Sequence, residues 1–360
     1  MIYTYKHLSH SIEGFHTEIV YFFEQLFKHT NQNYDEKVLL RSGFIKLVNQ
    51  SPKLLKANLM AITKSYYLLS SNDKNVVISA FYANCQIKKL CSDIKLEAVK
   101  FEEISDEDFR KLLKDFLTML WEDYPQNKLV ERKFGTVLTH FNDFLNSAHQ
   151  KALVCPFCGL NKLKPSGSIN RNAYDHFVPK AMYPFVSVNF QNLFPICHEC
   201  NSDEKKDIDT LYLKDKRRKL LFPFDTRYNR KNLTVTVVPK EVFNPKTLKT
   251  LLTDIDWEFA IKLAGKSDVR LSGWDDLFKI KRRYTEHIKR YQTEWFGQLQ
   301  TRFIREVSKG TTFKSFKKEI LEDAAYIIED TPLGILKFVY FKFLFSVPSF
   351  ESKLKAISYS

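Results

Sequence analysis

The sequence predicts a mainly α protein with a small metal-binding core and a few short strands. Apolar residues recur at helical spacing through the first 150 residues and again after Gly273. Two CxxC pairs frame the central stretch. Only two longer period-two runs stand out, one on either side of residue 250.

Residues 1–150 read as a helical region. Ile12, Phe15, Ile19, Phe22, Phe23 and Leu26 fall three and four apart, which gives one helix an apolar face. A second run covers Val38 to Val48. A third follows the break at Ser51-Pro52, where proline removes an amide hydrogen. Ser105 to Asp108 resembles a capping box, with Asp in place of Glu, before Phe109, Leu112, Leu113, Phe116 and Leu117. Val130 to Phe144 continues the pattern. Cys85 and Cys91 have no nearby Cys or His partner and read as buried or half-buried thiols. From residue 151 to 231 the chain holds four cysteines, several Pro and Gly, and many basic side chains. In the region 232–360, Leu233, Val235 and Val237 alternate in a strand, and 254–263 reads as its partner. A helix follows from Gly273 to Tyr291, with Trp274, Leu277, Ile280, Tyr284, Ile288 and Tyr291 on one stripe, and two or three more helices fill 292–357.

Lys and Arg number 56 against 42 Asp and Glu, a formal charge of +14 over 360 residues. Such an excess makes a polyanion the first candidate partner. A membrane surface is the second candidate, weakened by the absence of a lipidation motif or a long basic amphipathic tail, and no stretch reaches the ~18 apolar residues a spanning helix needs. The first residues lack the basic and apolar parts of a signal peptide, so the cytoplasm is the expected location. In that reducing compartment, clustered cysteines bind metal more readily than they form disulfides.

Cys155-Pro-Phe-Cys158 and Cys197-His-Glu-Cys200 each place two thiolates on a tight turn, where both sulfurs can reach one ion at ~2.3 Å. Together they predict a closed, four-thiolate structural zinc site. Between the pairs lies Tyr174-Asp175-His176-Phe177-Val178-Pro179-Lys180, and Asn189 to Ile196 leads into the second pair. A phosphodiester nuclease needs a hard cation on the scissile phosphate and a neutral imidazole to take a proton from water. Asp175 offers an oxygen ligand and His176 the base. Neighbours on a strand face opposite ways, so the pair can serve both roles only if the strand is bulged or ends there.

These residues resemble the HNH endonucleases, whose zinc-braced ββα-metal core grips one divalent ion between two short strands and a helix. The resemblance covers about 155–206 and implies a mainly α protein with a small ββα-metal (HNH) zinc-containing nuclease core. It implies Asp175 as the first ligand of Mg²⁺ or Mn²⁺ and His176 as the general base. Asn192 becomes the middle Asn that holds base and loop, and Asn201 the second metal ligand. Many relatives have His at the last position; the amide oxygen here is a harder ligand that favours Mg²⁺ or Mn²⁺. His198 reads as a solvated side chain. The layout of the following tract is similar to the anti-phage Septu-type (PtuB-like) nucleases. That similarity implies a role in antiviral defence beside an ABC-type ATPase partner.

Lys180, Lys205, Lys206, Arg217 and Arg218 are the expected phosphate contacts, with Lys214, Lys216, Lys219, Arg227, Arg230 and Lys231 around them. Lys281, Arg282, Arg283, Lys289 and Arg290 form a second basic face. Such contacts hold DNA without reading its sequence. A zinc-dependent nucleic-acid-binding module without chemistry, and an RNA-cleaving toxin using the same site, remain open on the sequence.

Overall fold

Helices account for nearly all of the structure before residue 147. The computed structural model describes residues 1–30, 32–123, 127–147, 153–228, 230–240 and 255–358. The expected border at 150/151, the start of the second strand at 254 and the Arg230 side chain lie outside what is described. Helix α1 (Glu13–Lys28) buries Phe15, Ile19, Phe22, Phe23 and Leu26, the face its spacing predicts. The run from Val38 to Val48 is broken at Leu40-Arg41, giving α2 (Glu36–Leu39) and α3 (Ser42–Gln50). Past Pro52 a wide turn leads into α4 (Ala57–Leu68), followed by α5 (Ser71–Asn84) and α6 (Ile87–Ser92).

Helix α7 (Glu107–Glu122) is capped by Asp106, whose carboxylate accepts the Phe109 amide at 2.8 Å. The cap falls one residue later than the sequence suggests, because Ser105 gives both its amide and its hydroxyl to Asp73. Between α8 (Lys128–Phe134) and α9 (Val137–Asn146) the chain turns at Gly135, φ +83°, a conformation that costs little without a Cβ.

Strands β1 (Ala173–His176) and β2 (Leu193–Ile196) form an antiparallel hairpin that pairs His176 with Leu193. One seven-residue π-helical turn, Glu199–Lys205, follows it, where the resemblance calls for an α-helix. A tiny ladder, β3 (Tyr212–Leu213) with β4 (Lys216–Arg217), precedes the expected strand pair β5 (Leu233–Pro239) and β6 (Trp257–Leu263). The stripe from Gly273 to Tyr291 is divided at Lys279, which takes φ +49° between α10 (Val269–Phe278) and α11 (Ile280–Val307). Gly273 lets α10 lie on the chain before it: a Cβ there would come within 2.6 Å of the Lys219 carbonyl. Helices α12 (Phe313–Tyr326), α13 (Gly334–Leu344) and α14 (Phe350–Ser358) complete the chain.

Two large buried clusters organise these elements. One gathers α1 to α5 and α7 around Phe22, Phe23 and Phe81, and takes in Phe185 and Val188 from the loop between β1 and β2. The other surrounds the cysteines with the hairpin, β5, β6 and α10 to α14, and includes Met1 to Tyr5 and Cys91 of α6. The first residues are therefore stitched to the cysteine region. The Ile2 amide donates to the Pro156 carbonyl at 2.7 Å and the Tyr5 hydroxyl to that of Pro195 at 2.6 Å.

Candidate metal centre and catalytic site

Cys155, Cys158, Cys197 and Cys200 are all buried, with their sulfurs within 4.8 Å of one another. The Cys158 and Cys197 sulfurs are 3.9 Å apart, close to the ~3.8 Å edge of a tetrahedron of ~2.3 Å zinc–sulfur bonds. The cluster can therefore hold a metal such as zinc. Gly159, φ +68°, turns the first knuckle so that its amide reaches the Cys155 carbonyl at 2.7 Å. The Leu160 amide points at the Cys158 sulfur at 3.4 Å, as donors around metal thiolates do.

Helices α10 and α11 clamp this frame. Trp274 donates to the Phe157 carbonyl at 2.7 Å and Tyr284 to that of Cys158 at 2.8 Å. Arg283 is 2% exposed and lies 3.3 Å from the Cys200 sulfur and 2.6 Å from Glu199. Burial works against its charge, but the Cys200 and Cys158 thiols and Glu199 outweigh that and raise its pKa. Arg283 therefore belongs to the cysteine frame, where the sequence placed it on a second basic face. Spacing could have found it: it falls three residues after Ile280, on the buried side of the helix.

Strand β1 ends at His176, and both Asp175 and His176 lie within it and keep its alternation. Asp175 and His176 face opposite ways, Asp175 half-buried and His176 buried. His176 Nε2 lies 2.7 Å from the Ser187 carbonyl. A carbonyl only accepts, so Nε2 carries the proton and Nδ1 keeps the lone pair. Burial drives the His176 pKa down to about 3, against the pull of the Ser187 bond, so the imidazole is neutral near pH 7. The Trp121 ring of α7 meets it edge-on at 4.5 Å, and Trp121 also lines a cleft of about 750 Å³ with Glu122, Leu138 and Arg171.

Asn192 is fully buried at the end of a 3-10 turn. Its Oδ1 accepts the Val178 amide at 2.8 Å, and its Nδ2 donates to the Val178 and Val186 carbonyls at 2.9 and 3.2 Å. It thus ties down the loop from which Ser187 reaches His176. The helical half holds the same loop. Asn84 donates to the Pro184 carbonyl, the Phe101 amide donates to that of Met182, and Phe185, at φ +68°, packs 4.9 Å from Phe23. Nothing in the sequence marks Trp121, Asn84 or Phe185 for this task, because each lies on an ordinary apolar or polar helix or loop pattern.

Asp175 accepts an ion pair from Lys205 at 2.9 Å. Burial raises the Asp175 pKa and Lys205 opposes it. Asn201 is half-buried in the π-helical turn, where its carbonyl accepts the Lys206 amide at 2.8 Å. A carboxylate and an amide oxygen are the hard donors that Mg²⁺ or Mn²⁺ prefers, and the Asp175 carboxylate already holds a cation, the Lys205 ammonium.

The basic residues divide into three groups. Arg217 donates to the Leu211, Leu90 and Leu96 carbonyls, and Arg218 to those of Asp209 and Tyr212. Both guanidiniums are therefore engaged inside the fold, as is the Lys205 ammonium, where phosphate contacts were expected. Lys180 pairs with Glu122 at 2.8 Å, Arg282 with Glu204, Lys289 with Asp256 and Arg227 with Asp225. Lys206, Lys214, Lys216, Lys231 and Arg290 are exposed, and Lys219 is half-buried. His198 is exposed, 4.0 Å from Asp203. Among the described residues, no helix is long and apolar enough to cross a membrane.

No family model and no solved structure matches the chain. It is similar to protein ea31 of Escherichia phage lambda, 40% identical over 70 residues. Those residues are 19% of this chain and 20% of that protein, so the match spans about a fifth of each.

Proposed function

We propose that this chain is a metal-dependent HNH endonuclease that hydrolyses DNA phosphodiester bonds. In this reading it is the nuclease of a bacterial anti-phage system and works beside an ABC-type ATPase partner. The observation that carries the reading is His176: a neutral imidazole at the last position of β1, its tautomer set by Ser187. His176 Nδ1 accepts the proton of the attacking water. Asn192 and Ser187 keep the ring in one orientation. Asp175 and Asn201 would hold a divalent ion, which would supply Lewis acidity at the scissile phosphate and the leaving 3′ oxygen. Zinc on Cys155, Cys158, Cys197 and Cys200 would tie the knuckle before β1 to the one after β2. Lys206, Lys214 and Lys216 are exposed on the tract after the hairpin and meet the phosphate backbone, so binding weakens steeply with salt. The defence role and the ATPase partner rest on the Septu-type resemblance.

The purified chain is incubated with plasmid DNA and with total RNA, each with Mg²⁺, Mn²⁺ or EDTA. Metal-dependent nicking of DNA is the expected result. Loss of RNA alone transfers the site to a ribonuclease. No cleavage of either, with zinc bound and the ATPase partner added, leaves a binding module.

A further inference from the structure

Lys205 is a buried lysine, a rarity unless the charge is paired. Its side chain is 4% exposed, with Nζ 2.9 Å from Asp175 Oδ2. It ends the π-helical turn that also carries Asn201, and the next residue, Lys206, takes φ +47°. The turn that offers one proposed metal ligand therefore lays an ammonium on the other. A magnesium ion would bind a carboxylate oxygen at ~2.0–2.1 Å. It would then stand against Nζ, and two cations at that range repel strongly in a half-buried site.

We propose that Lys205 is a tethered competitor for the catalytic cation, so that the site loads its divalent ion together with a phosphate anion that draws the ammonium off Asp175. This rests on Asp175 being a metal ligand of the proposed nuclease. A phosphate suits the exchange because it offers the ammonium a new anionic partner while the carboxylate passes to the metal. Linkage makes the effect mutual: the phosphate strengthens metal binding by the factor by which the metal strengthens phosphate binding. The resting chain is thereby kept from holding a loaded ion without substrate.

Mn²⁺ is titrated into the zinc-loaded full chain and free Mn²⁺ is read by electron paramagnetic resonance. Lys205→Gln and Lys205→Met, each checked for native zinc content, are expected to bind Mn²⁺ at least ~tenfold more tightly than wild type. Adding Asp175→Asn to either should abolish the gain. A phosphorothioate DNA oligonucleotide should tighten Mn²⁺ on wild type and have less effect on the Lys205 variants; the wild-type arm does not depend on how a variant folds. If the Lys205 variants bind no more tightly while Asp175→Asn still weakens binding, the competition is overturned and Asp175 stands as a ligand. Mn²⁺ binding that ignores Asp175 in every variant overturns the competition and the metal site together.

Discussion

In the helical half, rings pack on rings. Phe23 lies 4.9 to 6.1 Å from Phe22, Phe27, Phe81 and Phe185, and the cluster is almost wholly apolar. In the cysteine-centred half, rings surround four thiols. Polar side chains are aimed at that frame: Arg283 at a sulfur, and Trp274 and Tyr284 at the carbonyls of the first knuckle. The first half is held by non-directional burial, worth ~1.5–3 kcal/mol per large side chain. The second is built on a cluster that can hold a metal and on directional bonds. The two meet at the loop between β1 and β2, where an apolar anchor, Phe185, and a polar one, Asn192, fix the carbonyl that orients His176. The lesson is a division of labour. The helical half positions the loop, and the cysteine half positions the strand that presents His176.

The largest effect should come from removing the metal frame. Structural zinc contributes ~10–16 kcal/mol in small zinc modules, comparable with the whole stability of a domain. Cys197→Ser is therefore expected to lose zinc and to open α10 and α11 to hydrogen exchange, while α1, α4 and α7 stay protected. Uniform protection in a zinc-free variant would abolish the distinction between the halves. Phe23→Ala should do the reverse: a loss of ~3–5 kcal/mol in denaturant unfolding, with zinc content unchanged.

A smaller change is expected at Arg283. Arg283→Met keeps much of the volume but leaves Glu199 and the thiolates without their counter-charge. Zinc affinity in a chelator competition should fall ~10–100-fold. An unchanged affinity would make Arg283 a packing residue only.

The smallest effect concerns pH. Burial first, with His10 second, drives the His140 pKa down to about 4, and His140 Nδ1 bonds the Tyr174 hydroxyl at 2.9 Å. The unfolded value is ~6.5, so the folded state binds fewer protons. Its contribution to stability is full above 6.5 and is lost as pH falls from there through 4. The melting temperature of His140→Gln should therefore fall less than that of wild type between pH 7 and pH 4. Parallel curves would place the acid sensitivity elsewhere.

Much of the helical half is legible in the sequence, because burial there depends only on spacing. Ile12 to Leu26 mark α1 without knowledge of any partner. The cysteine pairs and the strands at 233 and 257 are legible for the same reason: their signals are local. The charged residues were not. Lys205, Arg217 and Arg218 read as phosphate contacts and Arg283 as part of a second basic face, yet each finds a carbonyl, a carboxylate or a sulfur that only the folded chain brings near. The π-helical turn was illegible as well, since Glu199 and Lys205 are fixed by Arg283 and Asp175, distant in sequence. For the site itself, the sequence marks Asp175, His176, Asn192 and Asn201. Ser187, Trp121 and Phe185, which fix or flank His176, carry no mark of their own.

The central claim, that His176 is the base of a DNA nuclease, is tested most directly by comparing wild type and His176→Ala on supercoiled plasmid with Mn²⁺ at equal zinc content. Nicking by wild type and a loss of ~10²–10⁴-fold in the variant is the expected result. Equal nicking by both proteins would contradict it.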